Sequence, residues 1–175
     1  MNKFLATLLV CCIMFLNFDA NAEENSPIWS ITLGDGHAFF AKRRSLENAN
    51  LPFVAAGYFF NQRYEIEALA GSFNTKFKNP TSTERQINGL LFALDGVYHA
   101  SLSTVIKPFF MAGLGVFAFS EARTDSNDQG NINAGIGSNF FISPSIAFRL
   151  ELRDFYTIVG GYNDILLDGG LSVFF

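Results

Sequence analysis

Charge is scarce in this chain. Of its 175 residues, 16% are Asp, Glu, Lys or Arg, against roughly 25% in an average soluble domain. The formal net charge is −4. A nucleic-acid binder presents a basic face to the phosphates, so this balance excludes nucleic acid as a partner. Cysteine is nearly absent. Cys11 and Cys12 both fall in the first stretch, so the rest of the chain has no disulfide framework. Histidine is limited to His37 and His99. Long hydrophobic runs are missing beyond the N-terminal stretch. Gly, Pro or a charge interrupts every later apolar segment within about 10 residues, whereas a spanning helix needs about 20.

Apolar residues are plentiful all the same. They make up 49% of the chain, and 21 residues are Phe. The N-terminus starts with a cationic "MNKF", runs through "FLATLLVCCIMFLNF" (4–18), and reaches "DANAEEN" with Ala20 and Ala22 in an A-x-A pattern. Residues 1–22 read as a secretory signal peptide with cleavage expected after Ala22. The run is too short for a spanning anchor, and Val10 before Cys11 fits a lipid-attachment site poorly. Residues 23–175 are therefore expected to be exported, apolar and free of spanning helices. A membrane β-barrel reconciles these properties, because its strands need only about 9–11 residues each.

The mature segment divides into eight strand-like runs: 27–40, 52–60, 64–73, 87–99, 107–119, 132–141, 145–156 and 164–175. Period-2 alternation marks strands between two environments. It is clearest in "SIAFRLELRDFY", where Ile146, Phe148, Leu150 and Leu152 alternate with Ala147, Arg149, Glu151 and Arg153. In the last run Ile165, Leu167, Gly169, Leu171, Val173 and Phe175 alternate with polar and small residues. Longer polar connections follow runs one, three, five and seven, and short ones follow two, four and six. The expected fold is all-β: an eight-stranded antiparallel up-and-down transmembrane barrel with short periplasmic turns and longer extracellular loops. Closure requires the last strand to pair with the first, since an open edge cannot face lipid.

A terminal strand ending in Phe, with apolar residues at every second position, resembles the C-terminal signature of bacterial outer-membrane proteins. Leu171, Val173 and Phe175 would then be the assembly signal, which implies recognition by the barrel-assembly machinery. "PFFMAGLGVFAF" followed by a polar loop and "NAGIGSNFFISPSIAFRLELRDFY" resembles the second half of the OmpA-like eight-stranded outer-membrane β-barrel family. The resemblance is specific over about residues 107–175 and implies an outer-membrane location. Because nothing follows Phe175, cell-wall anchoring by a periplasmic peptidoglycan-binding domain is not carried over.

Eight strands leave a lumen that side chains fill. Strand parity places Glu65, Glu67, Asp95, Lys107, Arg149, Glu151, Arg153 and Asp168 inside, as a salt-bridged plug or, alternatively, a narrow polar path. Some barrels of this size are lipid A-modifying deacylases or palmitoyl transferases that use His and Ser with an acid. His99 stands two residues before Ser101, but at a short periplasmic turn. His37 lies beside Asp35 near the outer end of strand one, with no nucleophile nearby in sequence, and reads as a girdle or loop histidine. "DSNDQG" (125–130) starts like a calcium loop with Asp125, Asn127 and Gly130, yet its twelfth position is Ile136 where a bidentate Glu is needed. "GLG" (113–115) opens no helix and is no phosphate cradle. "KRR" (42–44) with Lys76, Lys78 and Arg85 forms two basic outer loops able to meet lipopolysaccharide phosphates.

These features lead to the expectation of a non-enzymatic integral outer-membrane protein with a structural or surface-interaction role, without cofactor or metal. Its expected partners are outer-membrane lipids and lipopolysaccharide, the assembly machinery, and an extracellular ligand or host surface met by the loops. A lipid A-modifying enzyme and a narrow, mostly plugged channel are the alternatives.

Overall fold

The computed structural model describes residues 28–78, 86–100, 105–120 and 128–175. The signal segment, Arg85, Ser101, Asp125 and Asn127 lie outside the described residues. Eight strands follow one another: β1 (Trp29–Phe39), β2 (Ala49–Phe59), β3 (Tyr64–Thr75), β4 (Ile87–His99), β5 (Ile106–Phe119), β6 (Asp128–Ser143), β7 (Ile146–Thr157) and β8 (Tyr162–Phe174). Each pairs antiparallel with the next, and β1 pairs with β8 to close the barrel. At the seam, the Phe175 N–H donates to the Trp29 carbonyl at 3.0 Å, and the Trp29 N–H donates to the Phe175 carbonyl at 2.9 Å. Closure leaves no strand edge to be satisfied by lipid.

Alternation decides which side chains meet lipid. Outward positions carry Ile31, Leu33, Val54, Phe92, Leu94, Leu114, Ile136, Leu150, Leu167 and Leu171, all exposed. Such a continuous apolar belt is unsustainable in water and is the normal outer surface of a membrane barrel. Trp29 and Tyr58 meet edge to face at 4.9 Å, and Tyr64 stands beside Tyr98 at 5.4 Å. Both pairs sit at the short-turn end, where an aromatic girdle belongs.

Inside, large side chains face glycines across the strand pairs. Phe53 lies opposite Gly34 and Gly71, Phe73 opposite Gly89, and Phe109 opposite Gly137. The charged residues follow the same rule: Glu67 faces Gly57, Asp95 faces Gly113, Arg149 faces Gly170 and Arg153 faces Gly135. A Cβ added at Gly89 would collide with the Phe73 ring, and one at Gly113 with the Asp95 carboxylate. Each glycine thus supplies the volume that its neighbour fills, as close packing demands.

Two expectations need correction. Strand six starts at Asp128, earlier than 132: Gln129 and Asn131 point inward, but the outward Asp128 and Gly130 bring no apolar side chain to show the alternation. The fourth outer connection is not a longer loop: only residues 158–161 separate β7 from β8. Gly160 and Gly161 have φ of 92° and 62°, a left-handed geometry that glycine tolerates and that closes a hairpin tightly.

Candidate functional site

The lumen is filled in levels. At the short-turn end Phe59, Phe174 and Ala147 cluster with Phe141. Beside them His99, on the inward side of β4, bonds Glu65 at 2.7 Å, and the Ser30 hydroxyl donates to the other Glu65 oxygen at 2.6 Å. The imidazole rests near Phe59 and Phe109, with centroids at 5.2 and 5.8 Å. His99 is therefore a buried lumen residue and not a turn residue. Its parity with Asp95 and Val97 was the signal that could have shown this.

The middle level is the charge network. Arg149 donates to Glu67 at 2.5 Å and to Glu151 at 2.7 Å. Arg153 donates to Glu151 at 2.5 Å and to Asp95 at 2.7 Å, and its third nitrogen lies 3.6 Å from Glu67. The i, i+2 spacing on β7 stacks Arg149, Glu151 and Arg153 on one inward face, and β3 and β4 supply the opposing acids. Charges this deep persist when paired with good geometry. Five of the eight residues that parity places inside, Glu67, Asp95, Arg149, Glu151 and Arg153, meet in this network. Glu65 is inward but belongs to the His99 group. Asp168 is inward and buried beside Glu151 in register, yet among the described residues neither of its oxygens has a hydrogen-bond partner. Lys107 shares the inward parity but stands at the short-turn rim, its ammonium 5.0 Å from the Phe141 ring centroid, apart from the network.

Above the charges lies an aromatic layer of Phe40, Phe73, Phe117, Phe119 and Phe155, with Leu51, Ile87 and Leu91. Arg44 caps it. The basic loop "KRR" was expected to face outward, but its last residue turns into the mouth. A 3₁₀ turn over Lys42–Arg44 ends on Ser45 in a left-handed conformation, and this reversal sends the Arg44 side chain down. It pairs with Asp164 at 2.7 Å, donates to Thr157 at 2.5 Å and to Gln129, and lies 4.4 Å from the Tyr162 ring centroid. Arg44→Ala would leave the buried Asp164 without its cation. A loss of about 1–3 kcal/mol is expected, with faster protease cleavage of the first loop on whole cells as the readout.

The first outer connection and residues 76–78, at the start of the second, are joined into one platform. Leu46 bridges Phe77, the Glu47 N–H donates to Lys76 and the Lys78 N–H to Ser45, both at 2.8 Å, and the Thr75 hydroxyl donates to Glu47 at 2.6 Å. Lys42, Arg43, Lys76 and Lys78 remain exposed on it, with Glu47 as the exposed acid.

The profile of the outer membrane protein beta-barrel domain family matches residues 8–172. The chain belongs to this family. A search of curated protein sequences finds no significant match. Among solved structures, the barrel is similar to Neisserial surface protein A, NspA, at TM-score 0.68 and 16% identity over 87% of this chain and 100% of that one. It is also similar to the N-terminal β-barrel domain of Pseudomonas aeruginosa OprF, at TM-score 0.61 and 17% identity over 86% and 100%. A third likeness is to Yersinia pestis Ail, the attachment invasion locus protein, in complex with the heparin analogue sucrose octasulfate, at TM-score 0.62 and 12% identity over 86% and 100%. At such identities these likenesses speak for fold.

Among the described residues of this outer-membrane barrel, neither histidine stands between a hydroxyl and an acid. Activation of a serine needs the imidazole between hydroxyl and acid. Here Glu65 stands between Ser30 and His99. His37 points outward, bonds Asn50 at 3.0 Å and abuts Phe39 edge-on at 4.7 Å. Leu171, Val173 and Phe175 are all outward and exposed.

Proposed function

We propose that this outer-membrane barrel is a non-catalytic surface-contact protein whose rigid platform of first and second loops engages polyanionic saccharide. The observation that carries this reading is the platform itself. The first loop and residues 76–78 are tied by backbone hydrogen bonds, and Arg44 anchors the first loop from below, so the backbone that carries Lys42, Arg43, Lys76 and Lys78 is set before any ligand arrives. Preorganised loops on a rigid frame are where barrel proteins vary their contacts. Fixed cations also recognise sulfate and phosphate groups at lower entropic cost than free ones. The filled lumen supports the reading further, because it leaves the exterior as the working surface. The Ail complex with a sulfated saccharide analogue is a case of the same fold meeting that chemistry.

The test is binding of the refolded barrel to immobilised heparin. The fourfold variant K42E/R43E/K76E/K78E is expected to lose at least about tenfold in affinity, and binding of the parent protein should fall steeply with salt. Equal retention of parent and variant would sink the proposal.

A further inference from the structure

The outward face of β1 reads Trp29, Ile31, Leu33, Asp35, His37 and Phe39. Asp35 and His37 interrupt an otherwise apolar row. Across the strand pairs, Asp35 lies opposite Pro52 on β2 and Gly169 on β8. The outward neighbours one step further along those strands include Val54, Leu167 and Leu171, all exposed and apolar. Following the strand up from the Trp29 girdle, Asp35 stands about 15 Å higher at the rise and tilt of a barrel strand. The apolar band is about 25 Å tall, so this carboxylate faces hydrocarbon and not head groups.

A carboxylate in that position is costly unless it finds a partner. One Asp35 oxygen accepts the Gly36 N–H at 3.0 Å, but among the described residues no cation pairs with it. The basic side chains Lys42, Arg43, Lys76 and Lys78 follow the outer ends of β1 and β3, beyond Phe39 and Asn74. His37 is open in the complementary sense. The Asn50 carbonyl oxygen can only accept, so Nδ1 of His37 donates to it at 3.0 Å. Nε2 then has no hydrogen-bond partner among the described residues. Within one chain Asp35 and His37 form no ion pair with each other.

We infer that a second copy of this chain covers this face, with Asp35 of each copy bonded to His37 of the other. Both copies insert with the same orientation, so their two-fold axis runs along the membrane normal and residues of similar depth meet. Two facing β1 strands, each tilted about 35–45°, cross steeply near Gly36. The crossing sets Asp35 of one copy beneath His37 of the other. Their depths differ by about 5 Å, a gap that the two side chains close by leaning together. Each pair then holds one proton between Nε2 and the carboxylate, and neither group is left facing lipid alone. Gly169 and Pro52 beside Asp35 project little from the wall, and small residues let membrane-embedded surfaces approach closely. The inference rests on the barrel lying in a membrane and is independent of the saccharide reading.

Residues 23–175 contain no cysteine, so Arg63→Cys at the short turn after β2 gives a single labelling position. Donor- and acceptor-labelled barrels are refolded together into phosphatidylcholine vesicles, and energy transfer is followed as lipid is added. The parent barrel is expected to show transfer above that of randomly placed copies. D35H and H37D should each weaken association at least about tenfold, because each leaves like groups facing one another. A mixture of D35H donors with H37D acceptors should recover transfer, since every His then meets an Asp. D154N, which removes an outward carboxylate of β7, should behave as the parent. Each variant is checked for the heat-dependent gel shift of a closed barrel. Transfer no greater than random in the parent would overturn the inference. So would parent-like association of both single variants, or a mixture of two shifted barrels that recovers nothing.

Discussion

Arg153→Met is expected to destabilise the folded barrel by about 3–5 kcal/mol, the cost of removing one partner from a buried ion network. Arg153 is fully buried and bonds Asp95 and Glu151 while lying within ion-pair distance of Glu67. Its loss leaves Asp95 with no cation and Glu151 with Arg149 alone. Met has a similar length and fills the space beside Gly135, so the effect reports charge more than volume. Adding Asp95→Asn converts the stranded carboxylate into a neutral amide of the same shape. The double variant R153M/D95N should be more stable than R153M by a margin well outside additivity. Urea unfolding in lipid vesicles, followed by the gel shift and Trp29 fluorescence, measures both. A double variant no better than the single one would mean that Asp95 does not depend on Arg153.

The second large effect is expected at Phe117. Its ring is buried and meets Phe155 at 5.3 Å, Phe73 at 6.0 Å and Phe40 at 6.4 Å, and the Arg44 guanidinium lies 5.8 Å from its centroid. Phe117→Ala should cost about 3–5 kcal/mol, because the closed wall around it cannot collapse to fill the void. Phe117→Leu should recover more than half of that loss. Planar-bilayer conductance gives an independent check. Removing Phe117 opens the upper layer alone, and the charge network and the Phe59–Phe174 cluster still lie across the path. Conductance should therefore stay at background in F117A. The same reasoning applies to Arg149→Ala or Glu67→Ala, which leave the aromatic layers above and below in place.

The strands and their facing were legible in the sequence because a period of two has a single physical cause. Lipid on one side and a packed lumen on the other force alternation, and "SIAFRLELRDFY" displays it from Ile146 to Arg153. The same parity puts Glu67, Asp95, Arg149, Glu151 and Arg153 on inward faces; which of them touch depends on the register between strands. It also carried His99 inward, although proximity to a turn obscured that. Arg44 was not legible. Its burial depends on the left-handed turn at Ser45 and on a partner, Asp164, at the far end of the chain, and neither leaves a periodic trace. The start of β6 was hidden for a different reason: Gln129 and Asn131 obey the period on the inward side, but the outward Asp128 and Gly130 bring no apolar side chain. The outward pairs His37–Asn50 and Asn74–Asn88 leave no trace in the sequence, because each Asn, read on its own strand, looks like an ordinary strand end. Only the register sets His37 beside Asn50 and Asn74 beside Asn88.

The lumen's glycines also constrain how this barrel can diverge. Phe73 and Gly89, Phe109 and Gly137, and Phe53 and Gly34 are partners across a strand pair, so neither member can change size alone. A bulky residue arising at Gly89 is tolerable only if position 73 shrinks in the same lineage. Descendants of this sequence should therefore preserve the sum of each pair while exchanging its members. Among the described loop residues, the pairs Arg44 with Asp164 and Leu46 with Phe77 carry the same linkage.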